Sequence, residues 1–244
     1  QSLKMAFDTD ILAFGAHPDD VEISASGTIL KSISEGKTVS IVDLTQGELG
    51  TRGSIQTRAL ESTEASKLLG ISKRVNLKLK DGFINSSEAS IQSVLEQIRR
   101  FKPEIVLANA INDRHPDHGK AAKLVSDACY LSGLRKIKSQ WEGSEQDAHR
   151  PRLVLHYIQD YYIKPDFVID VSGFVDKKMQ VIQAFNSQFF NPESPEPNTP
   201  ISSEDFFDFL KGRMKGFGRP VNYKYAEGFT VNRLIGVNDL FNIQ

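Results

Sequence analysis

Residues 11–22 read Ile-Leu-Ala-Phe-Gly-Ala-His-Pro-Asp-Asp-Val-Glu, an apolar run followed at once by an imidazole and two adjacent carboxylates. The apolar part predicts a buried strand. The residues after it predict a helix that stops at Gly36, because their apolar positions recur at helical spacing. A second strand is predicted over residues 38–44. Strand, helix and strand in about thirty residues form a right-handed crossover, which predicts a parallel sheet with ligand-binding loops at its carboxyl edge.

The alternation of strands and helices continues through the first two thirds of the chain. Strands are predicted over 75–79, 104–109, 153–158 and 167–171, and helices over 57–69, around 91–98 and up to about 131. Ser172 is predicted to cap a further helix. The fold class predicted from this order is α/β, a Rossmann-like three-layer α/β/α arrangement with a mainly parallel sheet.

The last part of the chain has a different composition. Residues 191–200 contain four prolines and predict a loop or a lid. A helix over 203–217 and a last strand over 223–231 are predicted after it. We therefore expect a single domain spanning residues 1–244, with a C-terminal extension at about 191–244.

Composition excludes several classes of function. The chain has 244 residues, 39% hydrophobic and 25% charged, with a net charge of -1, so it lacks the basic surface that nucleic acids or anionic membranes attract. No apolar run approaches the ~20 residues of a membrane span, and residues 1–5 show no hydrophobic signal region. A lone cysteine, Cys129, is predicted to be a small core residue in a reducing compartment. These features favour a soluble cytoplasmic protein.

A second polar cluster, Arg114-His115-Pro116-Asp117-His118, follows the strand predicted over 104–109. Three of the five histidines lie in this cluster and in the first loop. His17, Asp20 and His118 form a two-histidine, one-carboxylate set, which suits a catalytic zinc with a position left for water. The same set suits non-haem iron(II), so the ligand types leave the metal open between the two.

The remaining polar residues of the two clusters predict hydrolysis. Asp19 is placed to accept a proton from an activated water, and His115 to face a developing oxyanion. Asp117 is predicted to hold the His115 ring in one tautomer and to favour its charged form. Taken singly, a His-Pro-Asp sequence is more often a turn, and His149 and His156 are interpreted as structural.

A non-catalytic sugar- or nucleotide-binding module on the same sheet is the alternative from another class. The first strand-helix turn lacks Gly-x-Gly-x-x-Gly, and the chain has no phosphate-binding Gly-x-x-x-x-Gly-Lys-Ser/Thr loop. Such a module also gives no reason for Asp19 beside a full set of metal ligands. Hydrolysis is therefore the preferred interpretation.

Three motifs carry a family resemblance: Ala-His-Pro-Asp-Asp-Val-Glu at 16–22, Thr-Gln-Gly-Glu at 45–48 and His-Pro-Asp-His at 115–118. They resemble the LmbE/PIG-L family of zinc-dependent N-acetylglucosaminide deacetylases, which implies an LmbE-like fold. Within it, residues 43–53, 109–115 and 225–229 are similar to the bacillithiol biosynthesis deacetylases. The resemblance implies zinc held by His17, Asp20 and His118, Asp19 as general base, and His115 as oxyanion stabiliser and acid.

The resemblance also implies a substrate, a small-molecule glucosaminide, and a homo-oligomer, either a trimer or a hexamer. Glu48 and Arg52 match positions that hold the sugar, and Asp81 matches a sugar-contacting acid. Arg114 stands where some relatives have tyrosine or glycine, and a cation there suits an acidic aglycone such as malate. N-acetylglucosaminyl-malate is the expected substrate. The alternatives are a chitooligosaccharide, another glucosaminide, or the amide of a bacillithiol conjugate.

Overall fold

A computed structural model describes residues 9–191 and 193–243 of the chain. The predicted absence of a signal region at residues 1–5 therefore concerns residues outside those described. The strands are β1 Ile11–Gly15, β2 Val39–Thr45, β3 Lys73–Leu79, β4 Ile105–Ala108, β5 Gln140–Trp141, β6 Ser144–Glu145, β7 Leu153–Tyr157, β8 Phe167–Asp170 and β9 Ala226–Thr230. The helices are α1 Asp20–Ser34, α2 Ile55–Leu69, α3 Glu88–Phe101, α4 Pro116–Leu131, α5 Val175–Gln183 and α6 Phe206–Gly218.

Seven of these strands form one sheet in the order β3-β2-β1-β4-β7-β9-β8. The first five run parallel to their neighbours, and β9 is antiparallel to both β7 and β8. β1 pairs with β2 on one side and with β4 on the other, so the loops that follow β1 and β4 leave the same edge of the sheet. The predicted α/β class with a mainly parallel sheet is confirmed.

The two faces of the sheet bury separate apolar clusters, which gives the three layers. Side chains alternate along β1: Ile11 and Ala13 join one cluster, and Leu12 and Phe14 join the other. The first cluster packs against α1, α2, α5 and α6, and the second packs against α3 and α4. Because β1 is buried on both faces, it is apolar throughout, as strands at the centre of a parallel sheet usually are.

Helix ends follow local signals at most positions. Ser54 accepts a hydrogen bond from the Thr57 amide at the start of α2, and Gly70 ends that helix with a φ of 75°. The predicted cap of α5 is wrong. Ser172 lies before the helix and its hydroxyl donates to Asp170 and to the Tyr225 carbonyl, while Phe174 precedes the first helical residue without a side-chain cap.

A further prediction concerns the lone cysteine. Cys129 is buried in the α3–α4 layer, as expected of a small core residue, and burial raises the pKa of its thiol. The polar segment after α4 contains the short β5–β6 hairpin. Within the described residues, no helix has the length and apolarity that a bilayer span requires.

Candidate metal centre and active site

The loops after β1 and β4 meet at the carboxyl edge of the sheet, on a cavity of ≈ 380 Å³. Both loops turn directly into a helix, α1 at Asp20 and α4 at Pro116. His17, Asp19, Asp20, His115 and His118 all line this cavity. The two clusters that are about a hundred residues apart in sequence therefore face one space, as expected for an open parallel sheet.

The three predicted metal ligands lie together. Asp20 sits between the histidines, with its Oδ2 3.6 Å from Nδ1 of His17 and its Oδ1 3.1 Å from Nε2 of His118. Ring nitrogens of His17, His115 and His118 lie within 4.8 Å of one another, and a second group within that limit joins His17 to Asp81 and Asp117. All but His115 are buried. Buried imidazole and carboxylate groups at this spacing have the chemistry of a divalent metal site.

Neighbouring side chains fix the orientation of Asp20 and His118. Asn109 and Gln159 donate to the two oxygens of Asp20, at 3.0 and 3.1 Å, and Asn109 also donates to Gln159. Nδ1 of His118 donates to Asp113 at 2.6 Å, which turns Nε2 toward Asp20. A carboxylate on the outer ring nitrogen is the usual support of a metal-binding histidine, because it fixes the tautomer and raises ring basicity.

His17 is surrounded by carboxylates in the same way. Its Nε2 donates to Asp81 at 3.1 Å and lies 3.6 Å from Asp117. The same oxygen of Asp117, Oδ2, accepts from the Gly82 amide at 2.6 Å. Its other oxygen, Oδ1, is buried without a hydrogen-bond partner in the described part of the chain, and Nζ of Lys120 lies 4.0 Å from it. Asp81 and Asp117 therefore place negative charge beside His17, which favours a cation there.

The electrostatics of the site favour cations. Burial lowers the pKa of His17, but Asp117, Asp20 and Asp81 outweigh this effect and the pKa lies well above its usual value. Burial also lowers the pKa of His118, but Asp20 and Asp113 raise it to about 9. Burial raises the pKa of Asp20, yet His118 and His17 hold it well below its usual range. The carboxylates thus favour positive charge at the point where a divalent metal ion is expected, and the set of imidazole and carboxylate donors fits a metal.

Asp19 occupies an unusual backbone conformation, with a φ of 118°, immediately before α1. Such a conformation is strained for a residue with a side chain and costs about 1–3 kcal/mol. Its Oδ2 accepts a hydrogen bond from Arg58 of α2 at 2.8 Å, and the same nitrogen donates to the Pro18 carbonyl at 2.6 Å. Burial raises the pKa of Asp19 to about 7, although the Arg58 charge opposes the rise. A buried carboxylate with that pKa is suited to accept a proton near neutral pH.

Gly47 makes room for this contact. A Cβ at this position would lie 2.0 Å from a terminal nitrogen of Arg58, and the φ of Gly47 is +66°. Glycine is required here for both reasons. In the loop after β2, the missing side chain of Gly47 thus allows an arginine to approach Asp19.

His115 differs from the prediction in how it is held. Its Nδ1 accepts a hydrogen bond from the backbone amide of Asp117 at 3.2 Å, which leaves Nε2 to carry the proton of the neutral ring. The Asp117 carboxylate points instead to Gly82 and His17. Burial lowers the pKa of His115, and the nearby His17 and His118 charges lower it further. The expectation that the Asp117 carboxylate orients His115 is therefore wrong, because the backbone orients the ring. The carboxylate does favour the charged form of His115, as expected, but burial and the two neighbouring histidines outweigh it.

The residues predicted to hold the substrate occupy different positions. Asp81 and Arg114 line the cavity, with Arg114 paired to Asp160 at 2.8 Å. Glu48 is exposed and accepts from the Asp81 amide, so it supports the Asp81 turn. Arg52 is buried outside the cavity lining, with one nitrogen donating to the Phe189 carbonyl at 3.2 Å. The predicted loop contributes Asn198–Pro200 to the cavity wall.

Several residues of the site were not predicted. They are Asn109, Asp113 and Gln159 around the predicted ligands, Arg58 on Asp19, and Arg213 in the cavity wall. Asn109, Gln159 and Arg58 bond to residues of a distant segment, whereas Asp113 bonds to His118, five residues later. Asp113 stands two residues before His115, and this position next to a histidine cluster could have identified it as a residue of the site. Arg58 carried none, since one arginine on the polar face of a helix resembles any other.

Comparison with known proteins agrees with this geometry. The sequence profile of the PIG-L family, described as GlcNAc-PI de-N-acetylase, matches residues 12–129. That range contains both polar clusters, from His17 to His118.

Individual relatives extend the match to nearly the whole chain. A diacetylchitobiose deacetylase of Thermococcus kodakarensis is 27% identical over 89% of this chain and 81% of that protein. A probable N-acetyl-alpha-D-glucosaminyl L-malate deacetylase 2 of Bacillus anthracis is 24% identical over 73% of this chain and 81% of its own length. The crystal structure of a conserved protein from Thermus thermophilus superposes with a TM-score of 0.83 at 30% identity, covering 94% of this chain and 98% of that one.

Proposed function

Because the chain belongs to the PIG-L family of de-N-acetylases, we propose that it is a metal-dependent hydrolase that removes the acetyl group from an N-acetylglucosamine conjugate. The observation that carries the proposal is the convergence of His17, Asp20 and His118 beside the buried, strained Asp19. The three would hold one divalent ion, zinc or iron(II), and Asp19 would stay free for proton transfer.

The bound ion would supply Lewis acidity, which lowers the pKa of water and polarises a carbonyl. Asp19 then accepts the proton of the water that attacks the acetamide carbon. Arg58 fixes the carboxylate by its 2.8 Å hydrogen bond and keeps the charged form accessible in a buried setting. Asp19 has a positive φ just before α1, whereas Asp20 is the first residue of the helix, and the two carboxylates have different partners, Arg58 and His118.

His115 acts on the other side of the acetamide. The Asp117 amide holds its Nδ1, so the proton on Nε2 is available to the oxyanion that forms from the carbonyl oxygen. When the carbon–nitrogen bond breaks, the leaving amine gains a proton and the second product is acetate. His115 is half-buried at the cavity, which is consistent with contact to a reacting group.

The substrate we propose is N-acetylglucosaminyl-malate, the conjugate of bacillithiol biosynthesis. Arg114 lines the cavity and its side chain is 41% exposed, so its unpaired nitrogens can reach a carboxylate. The Bacillus anthracis relative carries the name of this activity. Asp81 is the residue of the predicted sugar set that lines the cavity, and Glu48 and Arg52 would act by shaping the loop around it.

A second candidate substrate is N,N'-diacetylchitobiose. The Thermococcus kodakarensis relative with this activity in its name matches a larger share of this chain than the malate deacetylase does, 89% against 73%. Phe209 at the cavity is 44% exposed and offers an apolar surface for the face of a second sugar. The two candidates share the acetamide chemistry and differ in the charge of the attached group.

Acetate release tests the proposal. The purified protein, loaded with zinc or with iron(II), is assayed on N-acetylglucosaminyl-malate, on N,N'-diacetylchitobiose and on free N-acetylglucosamine. We expect metal-dependent acetate release, with the highest kcat/KM on the malate conjugate. Preference for chitobiose would select the second candidate. If the protein binds no divalent metal and releases no acetate from any of the three, a non-catalytic binding module is the correct interpretation.

A further inference from the structure

One wall of the cavity is formed by a single face of α6. Phe206, Phe209, Leu210 and Arg213 all line the cavity, and their spacing of three, four and seven residues places them on one side of the helix. Arg213 is the one charged side chain on this face. The Phe209 ring lies 5.3 Å from its guanidinium carbon, one turn earlier on the helix, and restrains the direction of the side chain.

The other two arginines at the cavity each have a carboxylate partner within the protein, although Arg114 uses only its Nε for this contact. Arg58 donates to Asp19 at 2.8 Å, and Arg114 donates to Asp160 at 2.8 Å. Arg213, by contrast, makes no hydrogen bond or ion pair with any of residues 9–191 and 193–243. The negative charges that act on Arg213 most strongly are the carboxylates of Asp160, Glu227 and Asp113. Each of these carboxylates forms a hydrogen bond or an ion pair with another group.

None of those three carboxylates forms an ion pair with Arg213 in the observed arrangement, and Asp160 accepts from Arg114. Asp113 accepts from His118 and from the Tyr161 amide, and Glu227 accepts from Lys178 and from α1. Burial lowers the pKa of Arg213 to about 10, so the group is still a cation at neutral pH. A partly buried cation without a partner is unfavourable, which is a common property of residues that bind a charged ligand.

We propose that Arg213 binds an anionic oxygen group, a carboxylate or a phosphate, on the substituent attached to the sugar. This inference rests on the proposed function for the identity of the sugar. Arg213 lies toward the outer part of the cavity, because the Asp160 carboxylate that affects it most is 33% exposed whereas His17 and His118 are about 10% exposed. An acetamide at the metal residues places the substituent of the sugar toward α6.

The test compares substrates of different charge in matched variants. Arg213→Met, Arg213→Lys and the control Lys215→Met are assayed on N-acetylglucosaminyl-malate, N-acetylglucosamine 1-phosphate and N,N'-diacetylchitobiose. Lys215 is on the same helix, is exposed and does not line the cavity. Loss of a charge-assisted hydrogen bond should lower kcat/KM on the preferred acidic substrate about ten- to a hundredfold, mainly through KM.

On chitobiose the same Arg213→Met variant should change by less than about threefold, and Arg213→Lys should recover part of the loss. The acidic substrate with the larger loss identifies the anion as carboxylate or phosphate. Equal losses on acidic and neutral substrates, or no loss, would overturn the proposal.

A binding measurement separates this inference from the proposed function. Malate and inorganic phosphate are titrated calorimetrically into the wild type and into Arg213→Met. Weaker binding of either anion by the variant supports the anion site even if no glucosaminide releases acetate, in which case only the proposed function fails. Identical binding in both proteins contradicts the role of Arg213.

Discussion

Asp19, Arg58 and Gly47 form one unit at the residue scale. Arg58 reaches Asp19 from α2 only because residue 47 has no side chain, and it meets a carboxylate held in a strained backbone conformation. Strain of this kind persists where surrounding contacts over-determine it, and it is commonly found at functional sites. The unit explains how two adjacent aspartates acquire different surroundings, Asp19 facing an arginine and Asp20 facing histidines.

Substituting Gly47 by alanine tests this unit. The added Cβ would displace Arg58, and a positive φ costs a side-chain-bearing residue about 1 kcal/mol in addition. We expect acetate release to fall by more than tenfold, by analogy with the loss of a positioning contact that costs about 1.4 kcal/mol or more.

Gly36→Ala is the matched control. Gly36 also has a positive φ, +82°, but nothing lies within 4 Å of a Cβ built there. Its activity should remain near that of the wild type while its stability falls slightly. Equal activities of the two variants would show that Arg58 has no part in the reaction.

The sequence identified the residues of the site that are polar and close together in the chain. His17, Asp19, Asp20, His115 and His118 all face the cavity as their clustering predicted. Arg58 and Arg213 could not be identified, because each is one of many surface-type residues until α2 and α6 pack against the loops. The contact of the Asp117 carboxylate could not be predicted either. Whether it lies beside His115 or His17 depends on the position of Gly82, which belongs to another loop.

At the element scale, α1 is held at its middle by a buried ion pair. Lys178 of α5 and Glu227 of β9 lie 2.7 Å apart, and Glu227 accepts from the amides of Gly27 and Thr28 at 2.9 and 2.7 Å. Lys178 donates to the Ile23 carbonyl at 2.7 Å. These are backbone groups that a regular helix uses for its own hydrogen bonds. The pair therefore joins α1, which begins at Asp20, to α5 and to β9.

Glu227→Gln should destabilise the protein strongly. Both partners are 2–3% exposed, and removing one charge of a buried pair costs about 3–5 kcal/mol. Urea unfolding measures the free energy. Glu145→Gln is the control, because Glu145 pairs with Lys138 but is 60% exposed, so its loss should change stability by at most about 1 kcal/mol. Similar losses in both variants would contradict the role assigned to the buried pair.

Element order and type were largely predictable, whereas direction and contacts at element ends were not. The alternation of apolar runs located β1 to β4 and α1 to α4, because each is a strongly periodic segment. The antiparallel direction of β9 depends on α6 returning the chain to the sheet, which no local pattern encodes. Ser172 is of a residue type that commonly caps helices, but its hydroxyl forms hydrogen bonds with Asp170 and with the Tyr225 carbonyl instead.

At the scale of the whole molecule, the proposed metal joins loops from the two halves of the parallel sheet. A ligand that binds only the folded state adds stability, about 2.7 kcal/mol at a hundredfold excess over its Kd. Treatment with a chelator should therefore lower Tm, and returning zinc should restore both Tm and acetate release. An unchanged Tm with full loss of activity would indicate that the ion does not bridge the two loops.

The predicted homo-oligomer remains a prediction. The segment after β9 exposes large apolar side chains, among them Leu234, Leu240 and Phe241, which are 82–94% exposed. Apolar surface of this kind is often covered by a partner. Sedimentation velocity should give a trimer or hexamer, and a monomer at micromolar concentration would contradict the prediction.

The central claim is that Asp20 holds the metal while Asp19, one residue away, performs proton transfer. Metal content and acetate release, measured together on Asp19→Asn and Asp20→Asn, test it most directly. Asp19→Asn should retain the metal content of the wild type and lose turnover by about a hundredfold or more, as expected for loss of a general base. Asp20→Asn should lose metal and turnover together. Loss of metal in Asp19→Asn, or full metal content in Asp20→Asn, would contradict the account.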